Sequence, residues 1–192
     1  MKTKAEQSTN RNQVPVAEKQ PDKNLIRINY HQDNEGLINR QINIELYASY
    51  VYQALAFHFD RYDVAFKGNH KYFKEMAEKK VEHAKSLLEY QNKRGGTIVY
   101  MDVEKPTQQN WNSPLEAHEV ALQLEKDIYN AFLELHASAC KHNDPHLTEY
   151  IEGEFLDKQV DKIKEYGDYI TNWKRVGLGL GEYVFDKEEF DD

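Results

Sequence analysis

Cysteine is almost missing from this 192-residue chain: there is one, Cys140. A single thiol cannot make an intrachain disulfide, which excludes a disulfide-stapled scaffold and makes a reducing compartment the natural home. Glycine and proline are scarce, at 9 and 5 residues, too few for a turn-rich sandwich of strands. No apolar run approaches the ~20 residues of a membrane span. Cationic excess is lacking as well: 25 Lys and Arg against 33 Asp and Glu leave a formal net charge of -8. That balance disfavours nucleic acid, membrane surfaces and phosphate groups, and suits cations. The opening MKTKAEQSTNRNQVPVAEKQPDKN has no apolar stretch of a secretory signal, and its acidic residues count against an import peptide. Residues 1–24 are expected to be a disordered polar tail, 25–192 a single domain, and the location cytoplasmic.

What the chain does have is helical periodicity. Leu37, Ile38, Ile42, Leu46, Ala48, Val51, Leu55 and Phe59 recur at steps of three and four, predicting an amphipathic helix from about His31 to Asp60. A second is expected after Lys67-Gly68-Asn69, carrying Phe73, Met76, Ala77, Val81, Ala84, Leu87 and Leu88, and ending at Arg94 before Gly95-Gly96. The stretch TIVYMDVEKPTQQNWN is too extended for helix. Ser113-Pro114 then supplies an N-cap and a first-turn proline for a third helix reaching about Lys141. HNDPH turns the chain into a fourth, Pro145 to about Val176, with Asp144 capping the turn. GLGLG breaks it before a short apolar piece. Short loops make two antiparallel hairpins, and only the long linker can cross the bundle's length. The expected fold is all-α: a four-helix bundle with one long crossover and a short fifth C-terminal helix.

Bundles of this topology hold metal between helices with carboxylates and imidazole, the donors that hard and borderline cations favour. Glu45, Glu125, His83 and Gln159 lie within or beside the apolar stripes of separate helices, although charged residues more often face solvent. A helix serving two metals typically carries Glu-x-x-His, one turn apart on one face. No histidine here has a glutamate three residues before it; before His83 that position is Lys80. Glu82, adjacent to His83, points about 100° away round the helix. An ammonium at Lys80 would repel a metal ion and pair with Glu45 and Glu125, unless it is deprotonated or reaches a wet edge. Glu75, Glu78 and Glu82, at i, i+3 and i+7, form a carboxylate stripe interleaved with Lys74 and Lys79.

RQINIELYASYVYQALAFHFDR, KSLLEYQNKRGGTI, LQLEKDIYNAFLELH and NDPHLTEYIE closely resemble the long helices of ferritin, across roughly Leu25 to Phe190. The resemblance implies a subunit of a hollow cage of twenty-four chains, alone or mixed with a catalytic ferritin chain. Such a cage stores iron, entering as Fe(II), as a ferric oxyhydroxide mineral. It further implies a ferroxidase centre in which Glu45, His83 and Glu125 match metal ligands, Tyr52 the neighbouring tyrosine and Gln159 the outer glutamine. Lys80 stands at the bridging carboxylate, as in the family's catalytically weak storage-type subunits, although those lack the histidine retained here as His83. The same resemblance places Glu75, Glu78 and Glu82 on a mineral-nucleating inner face, and His136, Glu149 and Glu152 around three-fold channels. Leu178, Leu180, Val184 and Phe185 would meet at a four-fold junction, with the direction of the last helix left open by a connection shorter than the family's. The expected function is iron storage with oxidation impaired at Lys80. An active ferroxidase using Glu45, His83 and Glu125, and a structural or reserve-protein cage, are the alternatives.

Overall fold

The structure is a computed structural model describing residues 24–190. The tail expected at 1–24 lies outside the described residues, Asn24 excepted. Three long helices, α1 (Gln32–Phe59), α2 (Lys67–Lys93) and α3 (Pro114–Lys141), are followed by a fourth rod. That rod comprises α4 (Pro145–Ile151), a π-helical turn (Glu152–Leu156) and α5 (Asp157–Val176), and a short α6 (Leu180–Phe190) ends the fold. Among the described residues no helix is long and apolar enough to cross a membrane.

The expected caps are in place. Ser113 accepts from the Glu116 amide and Asp144 from the Leu147 amide, each retiring one of the amides a helix start leaves unpaired. At α1 the cap is His31, whose Nδ1 accepts from the Asp33 amide.

Packing fixes the topology. Ile38 and Ile42 near the start of α1 share a cluster with Leu87 and Tyr90 late in α2, Leu135 and Ala139 late in α3, and Leu147 and Ile151 of α4. Phe59 at the other end of α1 packs with Phe73 and Met76 early in α2, Ala117 and Ala121 early in α3, and Tyr166 of α5. α1 is therefore antiparallel to α2 and α3, and α2 is parallel to α3. The linker returns along α1, with Thr97 bonded to Glu35 and Asn39, Asp102 to Asn43, and Asn110 to Arg61. At about 1.5 Å per residue α1 is roughly 40 Å long, and the crossover spans most of it.

The fourth rod runs through a π turn where a continuous α-helix was expected. Eight α-helical residues advance the side-chain direction by about 80° past two full turns, so Gln159 would leave the face of Ile151. A π turn absorbs one extra residue and brings it back to within about 20°. Ile151, Phe155 and Gln159 are accordingly all buried.

α6 folds back onto its own subunit. α2 has no capping side chain at Phe66 and no acid in its first turn. Asp186 of α6 supplies both, its carboxylate accepting from the Gly68 amide (3.0 Å) and the Asn69 amide (2.8 Å). Gly68 makes the approach possible, since a Cβ there would stand 2.3 Å from the Asp186 carbonyl oxygen. Gly177 and Gly179, both at positive φ, make the reversal. Of the residues expected at a four-fold junction, Leu178, Leu180 and Val184 are exposed. Phe185 instead packs edge-on against Trp173 at 4.5 Å. Asp186→Ala should cost about 1–2 kcal/mol, as loss of a charged N-cap does, and loosen α6. Denaturant unfolding and amide exchange across α6 check both effects.

His118 sits fully buried among Tyr72, Phe73, Tyr166, Tyr169, Trp173 and Phe190. Its Nδ1 is 2.9 Å from the Pro114 carbonyl, which can only accept, so Nδ1 carries the proton; the buried Nε2 has no partner. Burial lowers its pKa from 6.5 to about 4, against smaller raising effects of the Pro114 bond and the Glu165 charge. The unfolded chain thus binds the proton first. The stability owed to neutral His118 is full above about pH 6.5 and declines as pH falls, by about 3 kcal/mol below pH 4. His118→Phe should flatten the fall of melting temperature across that window.

Candidate metal centre

Between the two apolar clusters lies a polar layer, one residue from each rod. On α1 Glu45 separates Ile42 from Ala48; on α2 Lys80 separates Met76 from Ala84; on α3 Glu125 separates Ala121 from Ile128; on the fourth rod Gln159 follows Phe155. The apolar stripes either side carry these four inward. Glu45 and Glu125 are wholly buried and Lys80 is 2% exposed.

Lys80 Nζ stands 2.8 Å from Glu125 Oε2 and 3.8 Å from Glu45 Oε2. The ammonium therefore bridges the two carboxylates, and the side chain does not extend to a wet edge. Glu125 is well supplied with donors: Oε1 accepts from the Tyr52 hydroxyl and Oε2 from both Lys80 and the Gln159 amide, which also donates to the Glu125 carbonyl at 2.9 Å. Glu45 is less so. Its Oε1 accepts from Gln41 at 3.0 Å, while Oε2 and His83 Nδ1 face each other at 3.5 Å, neither with a hydrogen bond. Burial pushes the Glu45 carboxyl up, but the Lys80 charge, with His83 and Gln41, outweighs it and holds the group below its ordinary range. Burial and the adjacent Glu125 push the Tyr52 hydroxyl well above the ordinary tyrosine value, so it remains a donor.

Two members of this network are not singled out by the sequence pattern. Gln41 lies one turn before Glu45, and that i, i+4 spacing is the signal that could find it. Tyr166, which donates to the Tyr52 hydroxyl at 3.0 Å, lies two turns beyond Gln159 on the same face. The remaining expected residues lie elsewhere. Glu75, Glu78 and Glu82 are exposed on α2, as are Lys74 and Lys79. His136 and Glu152 meet at 2.6 Å, whereas exposed Glu149 touches Glu152 only through the backbone, its carbonyl accepting from the Glu152 amide.

A bundle with one long crossover and a carboxylate, imidazole and tyrosine layer at mid-length defines a class of helical metal-handling folds. Comparison with known proteins sharpens this. A family model described as Ferritin-like domain matches residues 35–176. Soma ferritin of Lymnaea stagnalis is 56% identical over 162 residues, covering 84% of this chain and 93% of that protein. The chain belongs to the ferritin family.

Removing Lys80 leaves two buried carboxylates with no cation. Lys80→Ala should destabilise the subunit by roughly 3–5 kcal/mol near neutral pH. Because the Glu45 carboxyl is held down chiefly by Lys80, its contribution to stability is present above the unfolded carboxylate value of about 4.3 and is lost below it. The gap between parent and variant should therefore narrow as pH falls through that range, as read by denaturant unfolding at several pH values.

Proposed function

We propose that this chain is a subunit of an iron-storage cage whose own oxidation of Fe(II) is impaired by Lys80. The observation that carries the reading is the Lys80 ammonium, 2.8 Å from Glu125 and 3.8 Å from Glu45, in the space a metal would take between them. A fixed positive charge in a buried layer opposes a divalent ion directly, and it occupies lone pairs that the ion would need. Lysine in place of a bridging glutamate also removes one oxygen ligand, so the layer lacks the donors for two ions.

In this reading the cage has twenty-four subunits, of this chain alone or mixed with a catalytic ferritin chain, and works in the cytoplasm. His136, Glu149 and Glu152 line the cation channels. Glu75, Glu78 and Glu82 anchor ferric mineral on the inner face, since clustered carboxylates suit a hard cation.

A second reading rests on a different observation. Glu45 Oε2 and His83 Nδ1, neither of them hydrogen-bonded and 3.5 Å apart, form the beginnings of a one-ion site. In that reading Fe(II) binds there, Glu125 assists and the cage oxidises its own iron. Initial dioxygen consumption after a small Fe(II) addition, compared with Lys80→Glu, separates the two. Slow turnover in the parent and at least tenfold faster turnover in Lys80→Glu is the expected result. Fast turnover in the parent overturns the block and favours the second reading. A cage that holds no mineral after prolonged exposure to Fe(II) and dioxygen is a structural or reserve protein.

A further inference from the structure

Far from the polar layer, a second set of ligating side chains meets where α1 begins and α3 ends. His31 is the cap of α1, Asp33 lies in its first turn, and His142 is the C-cap of α3. Asp33 and Glu45 are twelve residues apart on one helix, so this place is about 18 Å from the bundle's centre.

The three ligand atoms lie within 4.8 Å of one another. His142 Nε2 is 2.8 Å from Asp33 Oδ2, and His31 Nδ1 is 3.6 Å from the same oxygen. The imidazole rings stack, with centroids 3.5 Å apart and planes within 9°. Donors of a tetrahedral ion with bonds of about 2.1 Å stand about 3.4 Å from each other. The carboxylate and two imidazoles thus have nearly the spacing of three corners around one ion. Because the lone pairs of two parallel rings do not converge, an ion is held only when the half-exposed His31 ring turns out of the stack, giving up its Nδ1 bond to the Asp33 amide or presenting its other nitrogen.

The framework beneath these side chains is fixed without metal. Asn29 donates to the Asn143 carbonyl at 2.9 Å, joining the arm before α1 to the turn after α3. Arg94 donates to the Asn29 carbonyl at 3.0 Å and to both oxygens of Asp144, at 3.0 and 2.9 Å. Ser138 donates to Asn34 at 2.6 Å on the buried side. His142 is therefore held opposite a residue 109 positions away by contacts that do not involve the ligands. Such prior ordering lowers the entropy an ion must overcome on binding.

We infer that His31, Asp33 and His142 form a surface site for a borderline divalent transition-metal ion of the zinc type, separate from the layer around Glu45 and Glu125. Two imidazoles and one carboxylate, with no thiolate, select such ions over magnesium or calcium, which take oxygen donors throughout. Water fills the open coordination positions on the exposed side. The bound ion ties the start of α1 to the end of α3.

Zinc is the probe. Zn2+-soaked crystals of the assembled protein, with anomalous data at the zinc edge, should show a peak within bonding distance of all three side chains. Competition with a chromophoric chelator should find one fewer Zn2+ per chain, or at least tenfold weaker binding at one site, in His142→Gln and in Asp33→Asn. His142→Gln keeps a hydrogen-bonding partner for Asp33, which protects the fold. His136→Ala and His83→Ala should retain the peak. Zinc peaks only elsewhere, or unchanged stoichiometry and affinity in both triad variants, overturn the inference.

Discussion

The ammonium of Lys80 between the carboxylates of Glu45 and Glu125 is the interaction on which the middle of this bundle depends. All three groups are cut off from water, and each carboxylate left alone would be costly. Tyr52, Gln159 and Gln41 are arranged around the pair as donors, so three of the four carboxylate oxygens in the layer accept a hydrogen bond. The exception is the space between Glu45 and His83, where two polar atoms face each other without a bond. A layer filled by its own cation is self-sufficient in a way that a metal layer is not.

That layer imposes a condition on the fourth rod. Gln159 must face Glu125 although Ile151 and Phe155 already occupy the same stripe, and a regular helix drifts off that stripe within two turns. The π turn corrects the drift. It also falls immediately after the segment that brings Glu152 to His136, so one irregularity serves the packing of the centre and adjoins a polar pair at the surface. The end of the chain does comparable work at the other pole, where Asp186 completes the start of α2 from 118 positions away.

Much of the site is legible in the amino-acid sequence, because helical periodicity converts residue number into direction. Glu45, Glu125 and His83 are recognisable as charged or polar residues inside apolar stripes, and Lys80 as an anomaly one turn before His83. Gln41 and Tyr166 are not, because a polar residue on a buried face announces a partner without naming it. The triad of His31, Asp33 and His142 is equally invisible: two of its members are near neighbours in sequence, but the third arrives through the turn after α3.

The sequence by itself determined the long helices, the caps at Ser113 and Asp144, the single crossover and the family, since each rests on local patterns or on spacing along one chain. It also puts Lys80, not a glutamate, three residues before His83. Only the tertiary structure decided where the ammonium goes, which carboxylate it hydrogen-bonds and which it leaves at longer range, how the fourth rod regains its face, and that α6 caps α2. Those outcomes depend on distances between segments brought together by packing, and no spacing within a single helix encodes them.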